Sequence, residues 1–461
     1  MDKNNLWSLR LGFTTRQADR IEDLGIKTFL EKSFKTKIDP KLPDSLADSP
    51  TTMEGFTAKR KQLKTQSKAA QKIARRKERD DFMELKKWWL YKIQNDDYPL
   101  REKMVCFWHN HFVATQNKVK VNYWIYQHNQ LLRENAFGNF RDLTKKVLRS
   151  NAMIKYLDND DNKVDRINEN LSRELLELFT IGIGNYTEED IKNGAKGLAG
   201  LTMGDEGGWY KKSRLDQDVI VYFGQRGVFK VDQLVDIIFK QEATPYLLTR
   251  KILQWFIYDN PEEGLIQKYG DYFRKVNFEI QPLLEKIFKE EFDKPTAGSK
   301  IKDPLTFGLQ LLDTFPENQI DRKQVAQFIG KQGMDLFNQP NVKGWDGGRS
   351  WLTSQIYLQR NNVVELLSQG RSLEKMMRGG GMHLGKNEKP IKASLFWNSN
   401  SSADEIIKGF TDKLLFQLDD NMRKDLGNIV SHDFDPKAEN AEETIIRLVN
   451  FICKTPEFQL V

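Results

Sequence analysis

Residues 57–93 run from Thr57 to Ile93 without a glycine or a proline. A segment that long, built from Lys, Glu, Gln and Ala, has one regular conformation open to it, an extended α-helix. Its first two thirds are crowded with Lys59, Arg60, Lys61, Arg75, Arg76, Lys77 and Arg79, while Phe82, Leu85, Trp88, Trp89 and Leu90 gather at its end. The pattern predicts a solvated helix that docks by its C-terminal part. Aromatic residues do not interleave the basic part in sequence, so the stretch does not read as a nucleic-acid arm.

The rest of the chain repeats the helical theme. Thr14 or Thr15 is placed to cap a helix that Gly25 would end. Helical spacing recurs over residues 100–112, 121–135, 139–149, 168–179, 187–200, 232–258, 281–292, 303–314, 322–331 and 352–368, and again over 403–458. Residues 201–230 differ: glycines, Trp209 and the run Val219-Ile-Val-Tyr-Phe223 predict a β-hairpin or an extended excursion. The expected fold class is therefore mostly α, a multi-helix globular fold with a small β-hairpin excursion around residues 201–230. A main domain over 1–375 and a smaller helical segment over 376–461, after Gly379-Gly380-Gly381, complete the expectation. No internal repeat is present.

The 72 Lys and Arg against 65 Asp and Glu leave a net charge of +7, which permits an acidic partner without demanding one. Two cysteines, Cys106 and Cys453, exclude a disulfide framework, and Cys106 sits in an apolar run that reads as core. No apolar leader follows Met1, and no run approaches the roughly 20 apolar residues of a spanning helix. As written, the chain reads as cytoplasmic.

Chemistry concentrates in two places. Trp108-His109-Asn110-His111 places two of the five histidines two residues apart in an aromatic run. On a helix these rings would point about 200° apart, so they would share a metal only if the helix ended or distorted there. Farther on, Asn170, Arg173, Glu174 and Glu177 fall in one narrow arc of a helix whose other positions are Leu and Phe, with Asn168 as its cap. One reading is a polar centre: His109, His111 and Glu174 hold a divalent metal, or His111 and Glu174 transfer protons while Arg173 and Asn170 orient an anionic or polar substrate. In that case His111, Asn170 and Glu174 converge. The other reading is plainer, with buried histidines satisfied by neighbouring groups and a solvated helix face.

His128 stands as a third candidate ligand or a surface residue, with Arg133 five positions on; His383 and His432 read as exposed and unrelated. The stretch Asn341-Val-Lys-Gly-Trp345 to Trp351 is too rich in glycine for a helix and too rich in tryptophan for a linker. It reads as an ordered loop that walls the site. Its Gly347-Gly348 lacks the Lys-Ser/Thr of a phosphate loop.

Several stretches together carry a resemblance: Phe107 to Phe112, Gly138-Asn-Phe-Arg-Asp142, Asn168 to Gly182, Asn185 to Asp190, Phe223-Gly-Gln-Arg-Gly227, Asn341 to Trp345 and Thr455-Pro-Glu-Phe458. Over nearly its whole length the chain resembles a large bacterial family catalogued as a domain of unknown function, number eighteen hundred in its series. The resemblance implies a mostly α-helical protein, often exported and often encoded beside a sulfatase-like partner. Asn135 and Leu215 stand where many members carry histidine, which bears on any chemistry those histidines serve. Two functional readings follow. One is an enzyme using the polar centre for metal-assisted or acid–base chemistry. The other is a non-catalytic binding or assembly protein working with a sulfatase-like partner.

Overall fold

Capping side chains set many of the helix ends. Thr52, Ser67, Ser150, Thr353 and Ser402 each accept a backbone N–H from the first turn that follows them. Thr187 and Asp190 close a reciprocal capping box ahead of helix Glu188–Leu198. A computed structural model of the protein describes residues 1–315, 321–371, 395–430 and 434–461. The fold is mostly α. His383, His432, Gly379-Gly380-Gly381 and the expected boundary at 375/376 lie outside the described residues.

The basic segment is two helices rather than one, Met53–Thr65 and Lys68–Asn95. Gln66 is extended and the Ser67 hydroxyl accepts from Ala70 N, so a local cap outcompetes helix continuation. Gly25 ends its helix as expected: at φ 68°, ψ 154° it is non-helical and divides Ala18–Phe34 into two helical halves, and the buried Phe29 and Leu30 hold the far half against the core. Asn168 is not the N-cap of its helix, which is Glu169. Asn168 Oδ1 accepts from Asn170 N, and the helix runs Asn170–Glu174 before widening into a π-helical turn, Leu175–Thr180.

The β excursion is two small antiparallel hairpins, Leu201–Thr202 with Trp209–Tyr210 and Ile220–Tyr222 with Gln225–Gly227. Tyr222 pairs with Gln225 across Phe223 (φ 47°) and Gly224 (φ 75°), a two-residue turn with both φ positive. Asp190 accepts from Phe223 N and ties this turn to the capping box.

At the centre lies helix Leu100–His111, in which every residue except Asn110 is buried. Helices Lys68–Asn95 and Asn122–Glu134 pack on one side of it. On another side Trp255 of helix Thr244–Phe256 meets Phe107 edge-on, with ring centroids 6.1 Å apart. The described C-terminal helices join the same core: Ala441–Lys454 packs on Ser354–Ser368, and Phe458 stacks edge-on to Phe307. Among the described residues no helix is long and apolar enough to cross a membrane.

Candidate functional site

The histidine helix stays helical through His111, so His109 and His111 face different neighbours. His109 is fully buried against Trp89, whose ring centroid is 4.9 Å away. Its Nε2 lies 3.0 Å from Asn129 Nδ2. Asn129 Oδ1 is itself taken by Arg133 NH1 at 2.6 Å, so the Asn129 amide must donate to His109. His109 Nε2 is then the acceptor and Nδ1 carries the proton, buried without a hydrogen-bond partner. Burial, then the nearby His128 and Arg133, hold the His109 pKa well below the ordinary histidine value.

Arg133 anchors this half of the centre. Its Nε and NH2 donate to the two oxygens of Glu102 at 2.6 and 2.8 Å, and Trp89 Nε1 donates to Glu102 Oε2 at 2.8 Å. Burial alone would raise the Glu102 pKa, but the Arg133 charge, its hydrogen bonds and that of Trp89 bring it below the usual value. Asn129 and Arg133 sit four residues apart on one helix, which is why both reach the same side of the histidine helix.

His111, 2% exposed, belongs to the other half. Its Nε2–H donates to Phe179 C=O at 3.0 Å, which fixes the tautomer and leaves Nδ1 as the acceptor. Lys251 Nζ lies 3.4 Å from that Nδ1 and donates to Leu178 C=O at 2.9 Å. Both carbonyls come from the end of the π-helical turn, where backbone acceptors have lost their intrahelical partners. Burial lowers the Lys251 pKa to about 8. Burial, then the Lys251 charge, hold the His111 pKa far down, against the opposing effect of the Phe179 bond. The third ring, His128, is buried rather than at the surface. It donates through Nε2 to Phe112 C=O at 2.9 Å, and burial lowers its pKa to about 4.

The remaining expected site residues make no direct hydrogen bond to the buried histidines among the described residues. Asn170 is exposed. Arg173 pairs with Glu169 and Glu188 at 3.1 and 3.0 Å on the partly exposed face of its helix. Glu174 is half-buried; burial and then Glu177 raise its pKa against the pull of Arg173 and Lys343. Glu177 accepts from Tyr186 OH at 3.2 Å. Hydrogen bonds do not join His111, Asn170 and Glu174 into one cluster. Nor do His109, His111 and Glu174 gather as ligands, since no three His, Cys, Asp or Glu among the described residues are grouped to hold a metal ion. The physical reason is helix geometry: two residues of separation turn the rings apart, and the π-helical turn presents carbonyls, not carboxylates, to His111.

The glycine–tryptophan loop does wall this centre. Gly344 (φ 95°) lies so close to the end of the histidine helix that an added Cβ would come within 2.5 Å of Asn110 O. Trp345 N donates to Asn110 Oδ1 at 2.5 Å, and Gln339 Nε2 to His109 C=O at 2.9 Å. Asn135 accepts from Lys146 Nζ at 2.6 Å and donates to Leu131 C=O at 2.7 Å. Sequence reasoning missed Glu102, Asn129 and Lys251. The i,i+4 pairing of Asn129 with Arg133 was a signal for the second; a single lysine on an apolar helix gave none for the third.

No curated protein and no solved structure matches the chain. The family described as "Protein of unknown function (DUF1800)" matches residues 6–460, nearly the whole length, and the chain belongs to that family.

Proposed function

We propose that the protein is a non-catalytic binding and assembly protein whose polar centre is a structural network, working with a partner of the sulfatase-like class that the family resemblance implies. The reading rests on one observation: each of the three histidines among the described residues is bonded through Nε2 to a protein group, Asn129 for His109, Phe179 C=O for His111 and Phe112 C=O for His128. Buried polar groups committed to one another in this way rigidify a core and fix its arrangement. Metal analysis of natively purified protein tests the reading. The expected result is no stoichiometric metal; one equivalent that disappears in His109→Ala or His111→Ala would overturn it.

A second reading keeps catalysis and is carried by Lys251. Among the described residues its amine has no carboxylate in ion-pair range, and it faces the lone pair of His111 Nδ1. An amine lowered to about 8 is a base and a nucleophile near neutral pH. Attack on an aldehyde carbonyl would form a carbinolamine, which loses water to give an imine. Reductive trapping with a small aldehyde near pH 8, followed by peptide mapping, tests this. Preferential labelling of Lys251 over surface lysines supports it; labelling no faster than the surface average rejects it.

A further inference from the structure

Nearly the whole excess of positive charge resides in one helical hairpin. Residues 53–81 hold ten Lys and Arg against four Asp and Glu, an excess of six, out of a net charge of +7 for the chain. No residue of 53–81 is buried; the hairpin is attached through the lower part of its second helix, from Phe82 onward. Most of these cations lack carboxylate partners: within the hairpin only Arg76 and Lys77 have ion pairs among the described residues, at 3.9 and 3.6 Å.

The hairpin also forms one wall of a cavity of about 470 Å³. Met53, Phe56, Lys59, Arg60 and Leu63 line it from the first helix, and Gln116 and residues 118–124 line it as well. The second group brings Lys118, Lys120, Tyr123 and Trp124, and Lys155 and its ion-pair partner Asp160 also line the cavity. Lys118 is committed to Asp158 at 2.9 Å, whereas Lys59, Arg60 and Lys120 make no ion pair among the described residues. Phe56 packs on Trp124 and Tyr123, with ring centroids 5.0 and 6.4 Å apart, and Phe56 and Tyr123 remain partly exposed. Glu78 and Asp81 at the root of the cavity supply acceptors.

The sequence separates the basic residues from the aromatic ones, and the fold brings them together. Cations and aromatic faces lining one cleft suit an anionic chain that carries flat rings. The apolar residues of the first hairpin helix, Met53, Phe56 and Leu63, line this cleft, and Ile73 of the second is exposed singly, which does not make the broad apolar face that a helix lying in a lipid surface presents.

Resting on the binding reading above, we infer that the cleft between the basic hairpin and residues 116–124 binds single-stranded nucleic acid. Lys59, Arg60 and Lys120 take the phosphates and the Phe56–Tyr123 surface stacks a base. The acceptors Glu78 and Asp81 suit the exocyclic amino groups of bases.

Fluorescence anisotropy of a short labelled oligodeoxycytidylate with the full chain, at near-physiological salt, tests the assignment. The triple variant Lys59→Gln/Arg60→Gln/Lys120→Gln is expected to bind at least about tenfold more weakly. Its slope of log affinity against log salt should fall by about 2, three phosphate contacts at roughly 0.7 each. Tyr123→Ala is expected to lose about tenfold with the salt slope unchanged. Unchanged melting temperatures of the variants exclude misfolding as the cause. Absence of wild-type binding overturns the inference, as does equal binding of phosphatidylserine vesicles that is indifferent to Tyr123→Ala. Neither result touches the binding reading itself, which the metal analysis decides.

Discussion

Arg133 holds Glu102 with two parallel hydrogen bonds in a fully enclosed setting, and the same guanidinium orients Asn129 toward His109. One cation thereby sets a carboxylate, an amide and an imidazole tautomer. Removing either member of the pair leaves a buried charge uncompensated. Glu102→Gln or Arg133→Met is expected to lower stability by about 3–5 kcal/mol. The double variant Glu102→Gln/Arg133→Met should lose less than the sum of the single losses. Urea unfolding midpoints of the three variants measure this; simple additivity would contradict a coupled pair.

The three buried histidines give stability a definite pH dependence. Their folded pKa values lie below the ordinary one, chiefly through burial, with His128 at about 4. Above about pH 6.5 the rings are neutral in both states and the full stability is present. As pH falls below that, unfolded chains take up protons that the folded rings refuse, and stability declines by up to about 1.4 kcal/mol per pH unit per ring. For His128 the decline ends near its folded value of about 4. Melting temperatures from pH 7 to pH 4 should therefore fall steadily, and His128→Gln should flatten the curve. A His128→Gln profile parallel to wild type would contradict the placement of that ring.

Gly344→Ala tests the loop that closes the centre. The added methyl would meet Asn110 O at 2.5 Å, and the backbone φ of 95° is unfavourable for any residue with a Cβ. A loss of about 1–3 kcal/mol is expected from the backbone strain, and displacement of Trp345 should register in its fluorescence. A wild-type melt and spectrum would show that the loop is free to move away.

Arg173 provides the opposite case. Its partners Glu169 and Glu188 are partly exposed to fully exposed, so the ion pairs are screened by water. Arg173→Ala should cost no more than about 1 kcal/mol by thermal melting. A loss as large as that of Arg133→Met would place Arg173 in the interior network after all.

The contrast between Arg133 and Arg173 explains how far the sequence could be read. Helix existence and the small β excursion within 201–230 depend on neighbours in the chain, and those were legible. The Asn170–Glu177 arc looked like a buried polar stripe because its flanks are apolar, yet an arc of this kind serves equally as a solvated face. Which of two arginines is interior depends on packing between helices far apart in sequence. The change from α to π at Leu175, which turns carbonyls toward His111 and Lys251, leaves no mark in hydrophobic periodicity. The break at Ser67 was legible in principle, since a serine inside a charged helix is a capping residue in waiting.

The central claim is that the polar centre is structural, and melting the wild type, His109→Ala and Glu174→Ala with and without chelator tests it most directly. His109 is fully buried and bonded to Asn129, so its removal strands that amide and should cost about 1–3 kcal/mol. Glu174 is half-buried and its carboxylate makes no hydrogen bond among the described residues, so Glu174→Ala should melt within about 0.5 kcal/mol of wild type. Chelator should move none of the three curves. A wild-type melting temperature that drops on chelation, with His109→Ala already at the lowered value, would contradict the account and restore His109 as a metal ligand.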